Sequence, residues 1–310
     1  MNFVYILTGL LLLILGGNWL LKAAVSLSLK LNISKVVIGM TVVSFATSAP
    51  ELIVSINAAL DGKADLALGN VVGSNIANLG LVLAITLMLS KIDIQKSFYK
   101  LDWPIMLLAS LFLSLFLLND YIISRFEGGI LFLILILFLI YILRLPKTTH
   151  FVEEIENDIL GKNYLIVYLL GGVFGLWIGS ELLILGATSI AITFGVSERV
   201  IAVTMISVGT SIPELAASIV AIIKKQKAIS LGNLIGSNIF NILAVIGITS
   251  IISPLSVVDE KLVHNDIFWM LGISFMLLPL AFMFKKMSLD YKSGIVLIGC
   301  YILFIYRTFL

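Results

Sequence analysis

The sequence has little charge, little histidine and almost no cysteine. Its one cysteine, Cys300, excludes an internal disulfide and any cysteine-rich metal site. Charged residues make up 12% of the 310 positions and hydrophobic residues 60%, whereas a soluble domain has about a quarter charged residues. So few polar side chains could not cover a hydrophobic core in water, and the mean hydropathy of +1.14 agrees. We therefore predict an integral membrane protein in contact with the lipid bilayer. The net charge of +2 does not indicate a nucleic-acid partner.

Apolar runs separated by charged residues or by Pro, Gly and Asn predict ten transmembrane helices. A span of about 20 apolar residues crosses about 30 Å of hydrocarbon. The first run has no basic segment before it and no small-residue cleavage site after it, so we interpret it as a span and not as a signal peptide. The predicted spans are 3–21, 36–60, 66–90, 103–119, 127–145, 164–190, 199–223, 229–253, 266–284 and 291–309.

A polar linker at residues 146–163 divides the chain into a first five-helix repeat, 1–145, and a second, 164–310. The acidic cluster from Glu153 to Asp158 is interpreted as part of a solvated cytoplasmic loop. Fifteen of the 20 Lys and Arg residues fall in the odd-numbered loops, which predicts that these loops are cytoplasmic. Both termini are then extracellular, and the protein is a multi-pass protein of the cell (plasma) membrane. The two halves enter the membrane from opposite sides, as inverted repeats do.

The two halves are homologous. Residues 37–86 align with residues 200–249 at a constant offset of 163, and 23 of the 50 pairs are identical. General hydrophobic similarity would not repeat a Thr-Ser-x-Pro-Glu segment in register. Inverted repeats with interrupted helices hold their substrate near the bilayer midplane. The densest matches are TSAPEL with TSIPEL, at 47–52 and 210–215, and LGNVVGSNIAN with LGNLIGSNIFN, at 68–78 and 231–241.

Glu51 and Glu214 are predicted to be the centre of a cation site. Each lies inside a predicted span, where a carboxylate is costly and usually serves function. Each follows a proline, which lacks the N–H that would bond the carbonyl four residues back, here that of Ala46 and of Gly209. The alternative is that the glutamates only join helices by hydrogen bonds. Hydroxyl oxygens lie within a turn of the glutamates, at Thr47, Ser48, Thr210 and Ser211.

The second duplicated segment adds uncharged oxygen ligands. Ser74 and Asn78 lie four residues apart and share a helix face, as do Ser237 and Asn241. Carboxylate, hydroxyl and amide oxygens suit Ca²⁺ and also Na⁺, and a site without Cys or His does not suit zinc or copper. A purely structural role is the alternative for the two serines. Structural hydrogen bonding is predicted for the other asparagines, Asn70, Asn75, Asn233 and Asn238.

At these segments the chain resembles the sodium/calcium exchanger family, prokaryotic type, of the calcium/cation antiporter superfamily. The resemblance is carried by residues 39–51 and 69–78 and by their copies, 202–214 and 232–241, and it extends along the whole chain. It implies an all-α membrane fold of ten helices in two inverted five-helix repeats, with discontinuous helices 2, 3, 7 and 8. It also implies exchange of Ca²⁺ for Na⁺ by alternating access at a midplane site. The implied metal ligands are Glu51, Glu214, Thr47, Thr210, Ser48, Ser211, Ser74, Ser237, Asn78, Asn241 and the carbonyls of Ser44 and Ser207.

Many relatives have aspartate where this chain has Asn78 or Asn241, so the predicted site has two formal negative charges. These balance one Ca²⁺ but leave one excess positive charge with three Na⁺. Ca²⁺/Na⁺ antiport remains the leading hypothesis, and the missing carboxylate makes antiport of Ca²⁺ or another cation against H⁺ the alternative. A cation channel is less favoured, and an enzyme is not predicted, because the sequence has no zinc-binding helix motif and no Ser/His pair. No cofactor is expected besides the transported Ca²⁺ and Na⁺, and the protein is predicted to function as a monomer.

The first and sixth spans are predicted to be long gating helices. They pair in the repeat alignment, residues 11–33 with residues 174–196. In this alignment Glu181 pairs with Asn18, so its charge is not duplicated. We interpret Glu181 as a structural or gating contact and not as a ligand.

Overall fold

The computed structural model describes residues 2–144, 160–193, 209–283 and 287–309. Within these ranges the chain is helical apart from short connections and four strands of two residues each. Seven described helices are long and apolar enough to cross a membrane, and an eighth span results if the broken pair α2 and α3 counts as one. The helices are α1 (Asn2–Leu31), α2 (Lys35–Thr47), α3 (Ala49–Leu60), α4 (Ala64–Leu89), α5 (Phe98–Asp120), α6 (Arg125–Arg144), α7 (Lys162–Thr193), α8 (Ile212–Ile223), α9 (Lys227–Ile252), α10 (Leu262–Met283) and α11 (Tyr291–Phe309).

This helical membrane architecture agrees with the predicted fold class, while the count of ten spans stays a prediction. The first part of the seventh predicted span lies outside the described residues, and so does the acidic cluster of the linker.

The helices α1 and α7 are longer than the apolar runs that predicted them. α1 continues to Leu31, past the predicted end at residue 21, and α7 begins at Lys162 and ends at Thr193. Lys22 ends the apolar run but not the helix, because lysine is a good helix former and its exposed side chain can extend to a polar region. The prediction that spans 1 and 6 are long is confirmed, at 30 and 32 residues.

The offset of 163 also relates the helix boundaries, those of α3 to α8 and those of α4 to α9. Both α4 and α9 contain a π-helical segment at the equivalent place, Asn78–Leu83 and Asn241–Ile246. The predicted discontinuity of helices 3 and 8 is wrong, because each helix continues through this segment. Neither helix contains a proline, so every residue keeps its N–H, and a π-helical turn widens a helix without ending it.

The chain forms two compact units that do not coincide with the two sequence halves. Unit 1 comprises Met1–Thr47 and Tyr141–Asn233, and unit 2 comprises Ser48–Ile140 and Leu234–Leu310. Each unit therefore contains segments of both repeats. The repeats are related by sequence and by helix boundaries, but neither of them is a compact domain of its own.

In unit 1, α1 and α7 pack against each other over much of their length, and α1 also packs against α8. Glycines allow the backbones of α1 and α7 to approach closely. A Cβ atom on Gly172 would lie 2.6 Å from the main-chain nitrogen of Leu20, and a Cβ on Gly16 would lie 2.7 Å from that of Leu176. Such close approach through small residues is typical of helix pairs in membranes.

In unit 2, two short antiparallel ladders join connections between helices. Strand β1 (Ile92–Asp93) pairs with β4 (Ser288–Leu289), and β2 (Ile122–Ile123) pairs with β3 (Leu255–Ser256). The sequence predicted no strands, because two residues are too few to show an alternating pattern. Each ladder joins one segment from each half of the sequence. Among the helices of this unit, α4 packs against α3 and α11, and α5 packs against α10.

Candidate cation site

Both Pro-Glu motifs form the first turn of a helix. Ser48 precedes α3 with φ −86° and ψ 2°, and Ser211 precedes α8 with φ −86° and ψ 1°. The proline follows near the helix start, where its missing N–H is not needed. Glu51 and Glu214 lie in the first turn and are each 0% exposed. The N-terminal end of a helix carries a partial positive charge, which stabilises a carboxylate there.

The predicted discontinuity of helix 2 is confirmed at Ser48, which separates α2 from α3. The proline therefore accompanies the start of a new helix and does not merely kink a continuous one. In the second repeat, a turn at residues 210–211 precedes α8.

In unit 1, the predicted ligands at the end of α2 are fixed by hydrogen bonds to Asn233. The Ser44 hydroxyl lies 2.7 Å from the carbonyl oxygen of Gly39 and 3.0 Å from that of Asn233, and it donates to them. The Thr47 hydroxyl lies 3.3 Å from the Ser44 carbonyl and 3.3 Å from Oδ1 of Asn233. A hydroxyl that donates still has lone pairs on its oxygen. Both hydroxyls are fully buried, and that of Thr47, a predicted ligand, could therefore ligate a cation while it donates to the protein.

The Gly209 carbonyl has a hydrogen-bond partner that the sequence did not reveal. The hydroxyl of Ser180, on α7, donates to it at 3.0 Å. This tertiary contact replaces the helical donor that Pro213 lacks. The Ser211 hydroxyl is 2% exposed and has no hydrogen-bond partner among the described residues. Thr210 is half-buried, and the predicted ligand Ser207 lies outside the described residues.

Asn70 and Asn233 confirm the predicted structural hydrogen bonding. In unit 2, Asn70 Nδ2 donates to the Ser55 hydroxyl at 3.0 Å and to the main-chain carbonyl of Glu51 at 3.4 Å, which joins α4 to α3. In unit 1, Asn233 Nδ2 donates to the Ser218 hydroxyl at 3.5 Å, the equivalent contact of the second repeat.

Three further predicted ligands of unit 2 are also buried, namely Ser48, Ser74 and Ser237.

Four asparagines of unit 2 form one hydrogen-bonded group, which we call the asparagine quartet: Asn75, Asn78, Asn238 and Asn241. Asn78 Nδ2 donates to Asn238 Oδ1 at 3.3 Å, and Asn241 Nδ2 donates to Asn75 Oδ1 at 3.1 Å. Asn78 and Asn241 each begin a π-helical segment, a feature that is frequent at functional sites. The Oδ1 atoms of these two residues are buried and have no hydrogen-bond partner among the described residues. The sequence predicted structural bonding for Asn75 and Asn238, which is confirmed, but not the identity of their partners.

Three acidic residues of α5, α7 and α10 lie outside the predicted site. Glu181 is exposed on α7, and its structural or gating contact stays a prediction. Asp102 is 3% exposed and ends a π-helical turn, Phe98–Asp102, while Asp266 ends a similar turn, Leu262–Asp266. The repeat alignment does not reveal this second pair of acids, because their offset is 164 and the alignment at 163 ends before them. In the described ranges, no three His, Cys, Asp or Glu side chains form a metal-binding group.

Comparison with known proteins supports one family for the whole chain. The sodium/calcium exchanger protein family matches residues 1–144 and 164–310. CaxA of Alkalimonas amylolytica is 36% identical over 99% of this chain and 98% of its own length. The sodium/calcium exchanger MaX1 of Methanosarcina acetivorans is 30% identical over 99% of this chain and 98% of its own length. Among solved structures, the sodium-calcium exchanger NCX_Mj superposes with a TM-score of 0.84 at 28% identity, covering 98% of this chain and 97% of the other.

Proposed function

Because the chain belongs to the sodium/calcium exchanger protein family of membrane transporters, we propose that it is a secondary antiporter that exchanges Ca²⁺ for Na⁺ by alternating access. The observation that carries the proposal is the duplicated Ser-x-Pro-Glu motif. Each copy buries a glutamate completely in the first turn of a helix, Glu51 in α3 and Glu214 in α8. Buried carboxylates are costly inside a membrane, and their duplication in register supports a functional site over two separate structural contacts.

The proposed ligands are hard oxygen donors, which Ca²⁺ and Na⁺ prefer. The glutamates supply the charge, and hydroxyl, amide and carbonyl groups supply uncharged oxygens. The burial of five of the six hydroxyls, all except that of Thr210, supports this assignment, as do the buried amide oxygens of Asn78 and Asn241, which have no hydrogen-bond partner among the described residues. The set is Glu51, Glu214, Thr47, Thr210, Ser48, Ser211, Ser74, Ser237, Asn78 and Asn241, with the carbonyls of Ser44 and Ser207.

Two carboxylates also give a reason for obligatory exchange. An empty site with two negative charges is too costly to pass between the two sides of the membrane, whereas a site neutralised by bound cations is not. We propose that the closely packed helices α1 and α7 move as one body during this change. Their backbones approach so closely at the glycines that an added Cβ atom would lie within 3 Å of the main chain of the other helix, which supports movement as a pair.

We further propose ten spans arranged as inverted repeats, 1–145 and 164–310, joined by a cytoplasmic linker at 146–163. The distribution of Lys and Arg supports extracellular termini and residence in the cell membrane. Both repeats of the proposed site are present in one chain, which supports a functional monomer.

Reconstitution in proteoliposomes tests the function and the two central ligands. The wild-type protein should take up ⁴⁵Ca²⁺ when an outward Na⁺ gradient is imposed, and Glu51→Gln or Glu214→Gln should lower this uptake by about tenfold or more, because each removes a charge that a divalent ion requires. Glu260→Gln is the matched control, since Glu260 is exposed. Full uptake by either site variant would refute the assignment. Uptake driven by an outward H⁺ gradient, and not by Na⁺, would establish the H⁺-coupled alternative.

A further inference from the structure

The side-chain orientation of Asn75 and Asn238 is set by two main-chain carbonyls. Asn75 Nδ2 lies 3.3 Å from the carbonyl oxygen of Asn238, and Asn238 Nδ2 lies 3.3 Å from the carbonyl oxygen of Asn75. A carbonyl can only accept a hydrogen bond, so the amide nitrogen of each residue must face it. Rotation of either amide by 180° would bring two acceptor oxygens together. The Oδ1 atom of each residue is therefore directed to the other side of its amide group.

These two oxygens in turn set the orientation of Asn78 and Asn241. Asn75 Oδ1 lies 3.1 Å from Asn241 Nδ2, and Asn238 Oδ1 lies 3.3 Å from Asn78 Nδ2. An amide oxygen also only accepts, so Asn78 and Asn241 must present their nitrogens to it. Their own Oδ1 atoms are left without a hydrogen-bond partner among the described residues, although all four side chains are buried. Leaving a buried acceptor unsatisfied destabilises a protein, so such an arrangement needs another reason to exist.

We propose that Asn75 and Asn238 are positioning residues, which hold the amide oxygens of Asn78 and Asn241 toward the transported cation. This inference rests on the proposed function, because it assumes that these two oxygens are ligands. Without the acceptor on Asn75, the Asn241 amide can rotate and present its N–H groups, whose partial positive charge repels a cation. The pairing is crosswise: Asn75 acts on Asn241, and Asn238 acts on Asn78, so each repeat orients the ligand of the other.

The crosswise pairing makes a prediction that a purely structural role would not make. Asn75→Leu should raise the apparent KM for Ca²⁺ by about 5- to 10-fold, with a much smaller change in maximal rate, because one oriented ligand is lost. Asn75→Leu combined with Asn241→Ser should have the same KM as Asn241→Ser alone. When Asn75→Leu is combined with Asn78→Ser, the rise in KM should be the product of the rises in the two single variants. The equivalent double variants of Asn238 should show the reverse pattern. The KM effect of Asn238→Leu should disappear in combination with Asn78→Ser and should multiply with that of Asn241→Ser.

The measurement is the Ca²⁺ concentration dependence of Na⁺-driven ⁴⁵Ca²⁺ uptake in proteoliposomes. Thr86→Val is the matched control, because Thr86 is buried in α4 and its hydroxyl bonds to the Val82 carbonyl in its own helix at 2.7 Å. Its KM should not change. If Asn75→Leu does not fold, Asn75→Ser replaces it, because serine is too short to reach Asn241.

The positioning role would be wrong if Asn75→Leu multiplied the KM effect of Asn241→Ser as well as that of Asn78→Ser. The proposed function would still stand in that case, provided that the wild-type protein exchanges Ca²⁺ for Na⁺. Absence of any Ca²⁺ uptake by the wild-type protein would refute the proposed function itself, and the positioning role with it.

Discussion

At the scale of single residues, the proposed ligands combine two carboxylates with neutral oxygens only. Hydroxyl, amide and carbonyl groups do not ionise in the physiological range, so the charge of the set is determined by Glu51 and Glu214. Two negative charges match one Ca²⁺, and they leave one positive charge unbalanced with three Na⁺. Asn78 and Asn241 add no further negative charge to the two of the glutamates, because an amide supplies an oxygen without charge.

Asn241→Asp should therefore increase competition by Na⁺. The added carboxylate neutralises the excess positive charge of three Na⁺ and overbalances a single Ca²⁺. We expect Na⁺ on the Ca²⁺ side to inhibit ⁴⁵Ca²⁺ uptake at a concentration several-fold lower than in the wild type, as a titration of uptake against Na⁺ would measure. Asn57→Asp is the matched control, because Asn57 is exposed on α3 and gains the same charge away from the proposed ligands. An unchanged inhibition curve for Asn241→Asp would show that this charge does not decide ion choice.

At the scale of elements, proline and glycine have different structural roles in unit 1: proline marks the start of a helix, and glycine allows two helices to pack closely. Proline accompanies the start of α8, so that Glu214 lies in a first turn, where the helix dipole favours its charge. Glycine lets α1 and α7 come so close that a Cβ atom on Gly16 or Gly172 would lie less than 3 Å from main-chain atoms of the other helix. A side chain on that face would have to displace main chain, which cannot be relieved by a rotamer change.

Gly172→Ala should consequently destabilise the protein. Its Cβ would lie 2.6 Å from the Leu20 nitrogen and 2.8 Å from the Leu20 Cα, so α1 and α7 must separate, at a cost of about 1–3 kcal/mol. The melting temperature in detergent should fall by several degrees. Gly272→Ala, in α10, is the control, because no atom lies within 4 Å of the added methyl group and alanine favours a helix. Equal melting temperatures for the two variants would contradict the close packing of α1 with α7.

At the scale of the whole molecule, the proposed inverted topology makes equivalent connections face opposite sides of the membrane. The connection between α3 and α4 carries Lys63, and the connection between α8 and α9 carries Lys224. The basic-residue distribution assigns the first to the outside and the second to the cytoplasm. Two homologous helix pairs would thus be inserted in opposite senses.

Cysteine labelling can test this topology, since the one native cysteine can be replaced by Cys300→Ser. In that background, a membrane-impermeant maleimide should label Lys63→Cys in intact cells. It should label Lys224→Cys only after the cells are permeabilised. Both lysines are exposed, so access within the protein is comparable. Lys261→Cys and Lys96→Cys extend the test as a second outside and a second cytoplasmic position. The inverted arrangement would be refuted if Lys63→Cys and Lys224→Cys were labelled from the same side of the membrane, or if Lys261→Cys and Lys96→Cys were.

Much of the fold could be predicted because its signals are local. Apolar runs located the helices, and a gapless offset of 163 located a repeat whose helix boundaries then agreed. The errors have local causes too. Lys22 interrupted an apolar run but not the helix α1, and the family resemblance implied breaks in helices 3 and 8 where α4 and α9 only change to a π-helical turn. Helix continuity depends on backbone hydrogen bonds, and hydropathy does not report these.

The amino-acid sequence alone is enough to place this protein in a membrane, to reveal its two related halves and to assign its family. Those properties follow from composition and from identities in register, which need no coordinates. The packing of the helices is needed to show which atoms meet. Ser180 donates to the Gly209 carbonyl, Asn241 donates to Asn75, and Asn78 donates to Asn238. The asparagine contacts join residues more than 150 positions apart, and the direction of an amide depends on the acceptors around it. Such geometry exists only once the helices have packed.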